Sequence, residues 1–189
     1  LAESLDALVL DVKFGRAAFM QTRAEAEQLA DAMVRLAGDC GVPTRALLSD
    51  MNNPLGSAVG NWLEVKESVA CLSGGGPADL RTLVVECAAT LLTMTGKAAS
   101  LEDGRKAALE SLASGGPLQH WELMLRAQGA NLDRYREMLT QDTLAGCTHE
   151  LRAPSSGRLM SVDARLIGTV LRDHGAGRLF QTTPIRAEI

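Results

Sequence analysis

Ala7-Leu-Val-Leu-Asp-Val12 is a run of leucine and valine broken by a single aspartate, and its reading decides the rest of the chain. A short apolar run without polar alternation is the pattern of a strand buried on both faces. Downstream, Thr22 and Glu25 have the spacing of a capping box, and Ala26, Leu29, Ala30, Met33, Leu36 and Ala37 recur at threes and fours towards Gly41, which predicts a helix with one apolar stripe. Thr44 to Leu48, just after Pro43, reads as a second short strand. Strand, helix and strand with tight joints make a βαβ unit, whose crossover is nearly always right-handed, so an α/β fold with a mostly parallel sheet is expected.

In such sheets ligands bind beyond the carboxyl ends of the strands. The segment Asp50 to Gly60 lies there, and Asn52, Asn53, Pro54, Gly56 and Gly60 make it irregular. Asn61 with Glu64 suggests a capped helix start, running to the Ser73-Gly74-Gly75-Gly76 break. Pro77 opens a helix apolar nearly all round, up to Gly96, which is expected to be central. Helices at about Ser100–Leu112, Pro117–Gln128 and Asn131–Leu139 fill the middle. Glu150–Ala153 and Arg158–Ser161 read as short strands, and Asp163 caps a helix through Leu171. The expected organisation is an α/β domain over 1–150, with its helical middle, and the start of a small α+β domain over 151–189. Leu1 in place of a methionine, no leader, and a strand-like opening at Pro184–Ile189 suggest a piece of a longer protein.

The 189 residues are 46% hydrophobic and 22% charged, which excludes a disordered chain. A net charge of −4 gathers no polyanion, so neither nucleic acid nor a membrane is an expected partner. Arg81 and Glu86 interrupt the most apolar stretch, far short of the ~20 residues that cross a bilayer. Cys40, Cys71, Cys87 and Cys147 are scattered, as reduced, small buried side chains of a cytoplasmic protein would be. His120, His149 and His174 have neither metal nor triad spacing. Gly74 to Gly76 follow a helix, where a phosphate loop would follow a strand, and read as a joint. Asp11, Lys13 and Arg16 stand at a strand end where their mixed charge could bind phosphate or simply pair internally. Phe19 and Met20 in the next loop leave core packing and a ligand wall both open.

Two blocks carry more. Asp11-Val-Lys-Phe-Gly-Arg-Ala-Ala-Phe-Met20 and Leu48-Ser-Asp-Met-Asn-Asn-Pro-Leu-Gly-Ser-Ala-Val-Gly-Asn-Trp-Leu-Glu-Val-Lys-Glu67, with the interval between them, closely resemble the pyrimidine nucleoside phosphorylase, or thymidine phosphorylase, family. Weaker similarity runs to Pro184 through Asp163 and Gly175-Ala-Gly-Arg178. The resemblance implies a partial α/β domain of a nucleoside phosphorylase, followed by part of a small α+β C-terminal domain. It implies a pentosyltransferase of pyrimidine salvage: inorganic phosphate attacks C1′ of a pyrimidine nucleoside and the base leaves, giving (deoxy)ribose 1-phosphate. Such an enzyme uses no organic cofactor and works as a homodimer.

By the same resemblance Phe19 lines the pyrimidine pocket. The carbonyls of Leu55 and Ala58 and the carboxylate of Glu67 match part of a potassium site. The family's base-binding Arg, Ser and Lys and its Gly/Ser-rich phosphate segment have no counterpart here, so no catalytic residue is assigned and the chain alone is expected to be inactive. A non-catalytic α/β module keeping the scaffold for binding or assembly is the alternative. Trp62 and Arg16 depart from the small residues usual in the family at those places. The ion site also makes a demand. In one straight helix Ala58 and Glu67 would lie roughly 13 Å apart at about 1.5 Å per residue, so the backbone must curl before a helix begins near Asn61.

Overall fold

A computed structural model describes residues 4–141, 148–178, 182, 184 and 185. It opens with strand β1 (Leu8–Phe14), helix α1 (Arg23–Asp39) and strand β2 (Thr44–Asp50). The strands pair in parallel, from Leu8 opposite Thr44 to Phe14 opposite Asp50, so the βαβ unit forms as read. Thr22 caps α1 by accepting the Glu25 N–H at 3.2 Å, while the Glu25 carboxylate accepts the Thr22 N–H at 2.9 Å. Both halves of the capping box are present, and these hydrogen bonds hold the Glu25 carboxyl below its ordinary range.

Ala26 and Ala30 of α1 pack on Val12, with Leu10, Phe14, Met20, Ala46 and Leu48 around them. The opposite side of β1 meets α3 (Ala78–Met94), which packs along α4 (Leu101–Ala113) through Val85, Ala108 and Leu112. β1 therefore lies between helices, yet only Val12 of its residues is buried. Two strands are too narrow a sheet to hide both faces, and the expectation of a fully buried strand is corrected accordingly.

The remaining helices among the described residues are α2 (Asn61–Leu72), α5 (Gly116–Ala127), α6 (Leu132–Thr140) and α7 (Ala164–Leu171), and the chain after α7 kinks at Gly175, whose φ of +106° is not helical. All lie within a few residues of the sequence reading. Gly74 and Gly75 donate to the carbonyls of Cys71 and Ala70 and turn α2 into α3, so the glycine triplet is a helix joint.

Two further expectations are corrected. Glu150–Ala153 and Arg158–Ser161 form no strands; both run as exposed, irregular chain, because no neighbouring strand stands beside them among the described residues to complete a ladder. Cys71 is buried and Cys87 half-buried, but Cys40, at the end of α1, is exposed; Cys147 lies outside the described residues. Pro184–Ile189 falls mostly outside them, and Pro184 and Ile185 show no strand. No helix among the described residues is long and apolar enough to cross a membrane.

Candidate functional site

Both strands end at one edge, and the loops that leave them meet α7 there. Alternation along β1 puts Asp11 and Lys13 on one face, and the parallel register sets Ser49 beside Lys13. Lys13 Nζ lies 2.6 Å from Asp11 Oδ2 and donates to Ser49 Oγ at 3.2 Å, while Ser49 donates to the other oxygen of Asp11. Arg16 Nη1 is 3.7 Å from Asp163 Oδ2. Of the two roles open to Asp11, Lys13 and Arg16, internal pairing is therefore what the structure shows. Beneath them burial pushes the Cys87 thiol up, and the charge of Asp11 adds to it, which disfavours the thiolate.

Phe19 has 99% of its surface exposed, which excludes core packing. It stands at the rim of a cleft of about 890 Å³ whose other walls are Met20, Leu29 and Met33 on one side and Arg165, Gly168 and Arg172 on the other. Lys13, Met51, Ala164, Gly168 and Arg172 are shared with a second hollow of about 450 Å³, reaching Leu55, Ala58 and the start of α2.

The loop after β2 is held by side chains at nearly every step. Asp50 accepts from the Asn52 N–H at 2.7 Å, and the Asn52 side chain accepts the Arg16 N–H at 3.0 Å. Asn53 accepts the Val162 N–H at 3.0 Å, and the Asn61 side chain donates to the Ala176 carbonyl at 2.9 Å. These contacts fasten residues 162–176 over the strand ends, and the cleft has its far wall because of them.

The backbone curls before α2. Gly60 takes the cap position with φ +142°, open to glycine alone, and α2 starts at Asn61. The Glu64 carboxylate accepts the Gly60 N–H at 3.1 Å. Asn61, read as a cap, instead enters the first turn, which frees its amide for Ala176.

Glu67, two turns into α2, points back at the loop. Its Oε1 accepts the N–H groups of Ser57 at 2.8 Å and Ala58 at 3.1 Å. Its Oε2 fills the space over Gly56, where an added Cβ would lie 2.1 Å away, and φ +77° at Gly56 also calls for glycine. The structure thus brings Glu67 onto the stretch that carries the Leu55 and Ala58 carbonyls, and places Phe19 on the neighbouring loop.

A second acid escaped the sequence reading. Asp79, in the first turn of α3, accepts the Gly56 N–H at 2.9 Å and the Leu80 N–H at 2.8 Å, and these two donors hold its carboxyl below the usual range. From sequence it looks like any acid favoured at a helix start, and nothing in its spacing pointed to a loop twenty-three residues away. Arg165 and Arg172 were likewise missed, because their role depends on how α7 docks. Among the described residues no cluster of His, Cys, Asp and Glu could hold a metal ion. His120 and His174 each face a carbonyl in their own helical turn.

The family model described as "Glycosyl transferase family, a/b domain" matches residues 1–118. Pyrimidine-nucleoside phosphorylases of Staphylococcus aureus strains USA300 and NCTC 8325 / PS 47 are each 39% identical to the chain over 181 residues, covering 95% of it. That alignment covers 41% of each relative, so the chain spans about two fifths of their length.

Proposed function

This chain belongs to the glycosyl transferase family, whose α/β-domain model matches residues 1–118, and from that premise we propose that the whole protein is a pyrimidine-nucleoside phosphorylase. The observation that carries the reading is the meeting, at one sheet edge, of an exposed aromatic wall at Phe19 and a turn pinned by Glu67. In the reaction a phosphate oxygen attacks C1′, the bond from C1′ to the pyrimidine nitrogen breaks, and its electron pair leaves with the base, which takes a proton. The transition state has oxocarbenium character, so water must be kept out while the sugar is exposed.

The part of this chain is to bind and exclude. A pyrimidine against Phe19 would cover a ring now open to solvent, worth about 1.5–3 kcal/mol if the ring were wholly buried. The cleft wall of Arg165 and Arg172 supplies positive charge near a developing base anion or a phosphate.

The residues present fit a potassium ion in kind. Glu67 is held against the turn by two N–H groups on one oxygen, its other oxygen lies over Gly56, and two main-chain carbonyls belong to the same stretch. Hard oxygen donors suit an alkali cation, which when bound would offset the acid's charge and stiffen the turn. Leu55, Ala58 and Glu67 would hold it, with further ligands from elsewhere in the longer protein.

The test is phosphate-dependent release of uracil from uridine and thymine from thymidine, by the 189-residue chain and by the longer reading frame that contains it. We expect release by the longer protein alone, with Phe19→Ala raising KM about tenfold, the worth of part of a ring's burial. Release without phosphate, or turnover by the short chain, would overturn this reading. Nucleoside binding with no release by the longer protein would favour the scaffold-only alternative.

A further inference from the structure

Three successive N–H groups, those of Gly56, Ser57 and Ala58, are each taken by a carboxylate, and the two carboxylates come from different helices. Glu67 of α2 holds Ser57 and Ala58, and Asp79 of α3 holds Gly56. We propose that Asp79 is a positioning residue for the ion site: by fixing Gly56 it holds the turn in the shape in which Glu67 closes on it and the Leu55 and Ala58 carbonyls can share a cation. The proposal rests on the potassium reading above and deepens it.

The physical argument is one of restraint. A glycine at φ +77° gives up more conformational freedom on ordering than any other residue, so the turn needs an anchor of its own. Glu67 alone cannot supply it, because both its bonds lie on the C-terminal side of Gly56. Asp79 supplies it from a rigid base, since its second oxygen accepts the Leu80 N–H and its helix packs on β1. Charge acts in the same direction: two carboxylates on one three-residue turn repel each other, and a bound monovalent cation would relieve that repulsion.

Amide hydrogen exchange on the full 189-residue chain and on the longer protein tests this, at fixed ionic strength, with tetramethylammonium or potassium as the cation. The readout is the protection of Ser57 and Ala58, which Asp79 does not itself bond. In tetramethylammonium, Asp79→Ala should speed exchange at both amides about fivefold or more, as the loss of one charge-assisted anchor would. Val85 in the middle of α3 should keep its protection, and Asp79→Asn, which retains an acceptor, should stay near the parent.

If Asp79→Ala does not fold, Asp79→Glu keeps the helix-start charge but moves the carboxylate one methylene along, and carries the same expectation. Unchanged exchange at Ser57 and Ala58 in the variant overturns the proposal. In potassium the longer protein, which supplies the remaining ligands, should gain protection at these amides, and its Asp79→Ala variant should require a severalfold higher concentration to do so; equal requirements also overturn the proposal. Coupling seen in tetramethylammonium with no potassium effect on the longer protein sinks the ion reading instead, and with it the role of Asp79 at an ion site.

Discussion

Trp62, at the start of α2, stands edge-on to Tyr135 of α6, with ring centroids 6.3 Å apart and planes at 88°. Tyr135 in turn accepts a hydrogen bond from Trp121 Nε1 of α5 at 2.8 Å. The chain has two tryptophans and one tyrosine, and all three meet where α5 and α6 lean on the helix that carries Glu67. Trp62 therefore reaches across to α6. An edge-to-face pair of this kind adds about 0.5–1.5 kcal/mol beyond area burial.

Tyr135→Phe should keep the ring contact but remove the acceptor of Trp121. A loss of about 1 kcal/mol is expected, measured by urea unfolding followed through tryptophan fluorescence. Unchanged stability, with unchanged emission, would show that the Trp121 indole finds another partner at no cost.

Gly104 in α4 lies so close to α3 that an added Cβ would be 2.7 Å from the Ala89 carbonyl oxygen and 3.0 Å from its Cα. Gly104→Ala should destabilise the chain by about 1–3 kcal/mol, because the contact is with backbone that cannot move aside. Gly38→Ala in α1, with nothing within 4 Å, should do the reverse and stabilise by up to about 1 kcal/mol. Thermal melts of the two variants should shift in opposite directions.

Arg105 of α4 donates to both oxygens of Glu86 of α3, at 2.6 and 3.1 Å, and this pairing holds the Glu86 carboxyl below its ordinary value of 4.5. A carboxyl lowered in the folded state contributes stability that is fully present above its ordinary value and is lost as pH falls through the lower, folded one. Glu86→Gln should therefore melt below the parent at neutral pH, with the gap closing under acid conditions. A gap that stayed constant with pH would mean that the charge of Glu86 is not what joins the two helices.

Asn61→Ala removes the bond to the Ala176 carbonyl that fastens the end of α7 over the strand ends. Faster amide exchange in 164–171 is expected, with α1 unaffected, because α1 rests on the sheet and not on this clasp. Equal protection in variant and parent would assign the docking of α7 to the other bonds of its first turn: Asn53 to the Val162 N–H, the Asn52 carbonyl to the Ala164 N–H, and the Arg16–Asp163 pair.

Local patterns were legible wherever a local rule was sufficient. The capping box at Thr22 and Glu25, the apolar stripe of α1, the glycine joint before α3 and the asparagine-rich loop after β2 all follow from neighbours in the chain. The curl before Asn61 was also readable, since Gly56 and Gly60 allow backbone angles that other residues resist. The readings at 150–153 and 158–161 failed because a strand is a property of two segments, and an apolar run cannot state which partner stands beside it.

The sequence by itself determined the βαβ unit, the helical middle and the family, because periodicity, capping and motif spacing are written along the chain. The tertiary structure alone decided that Asp11, Lys13 and Ser49 satisfy one another, that Phe19 faces solvent, and that Asp79 and Glu67 share one turn. Those relationships join residues far apart in the chain, and a carboxylate's choice of donor is set by distance in space, which spacing in sequence does not encode.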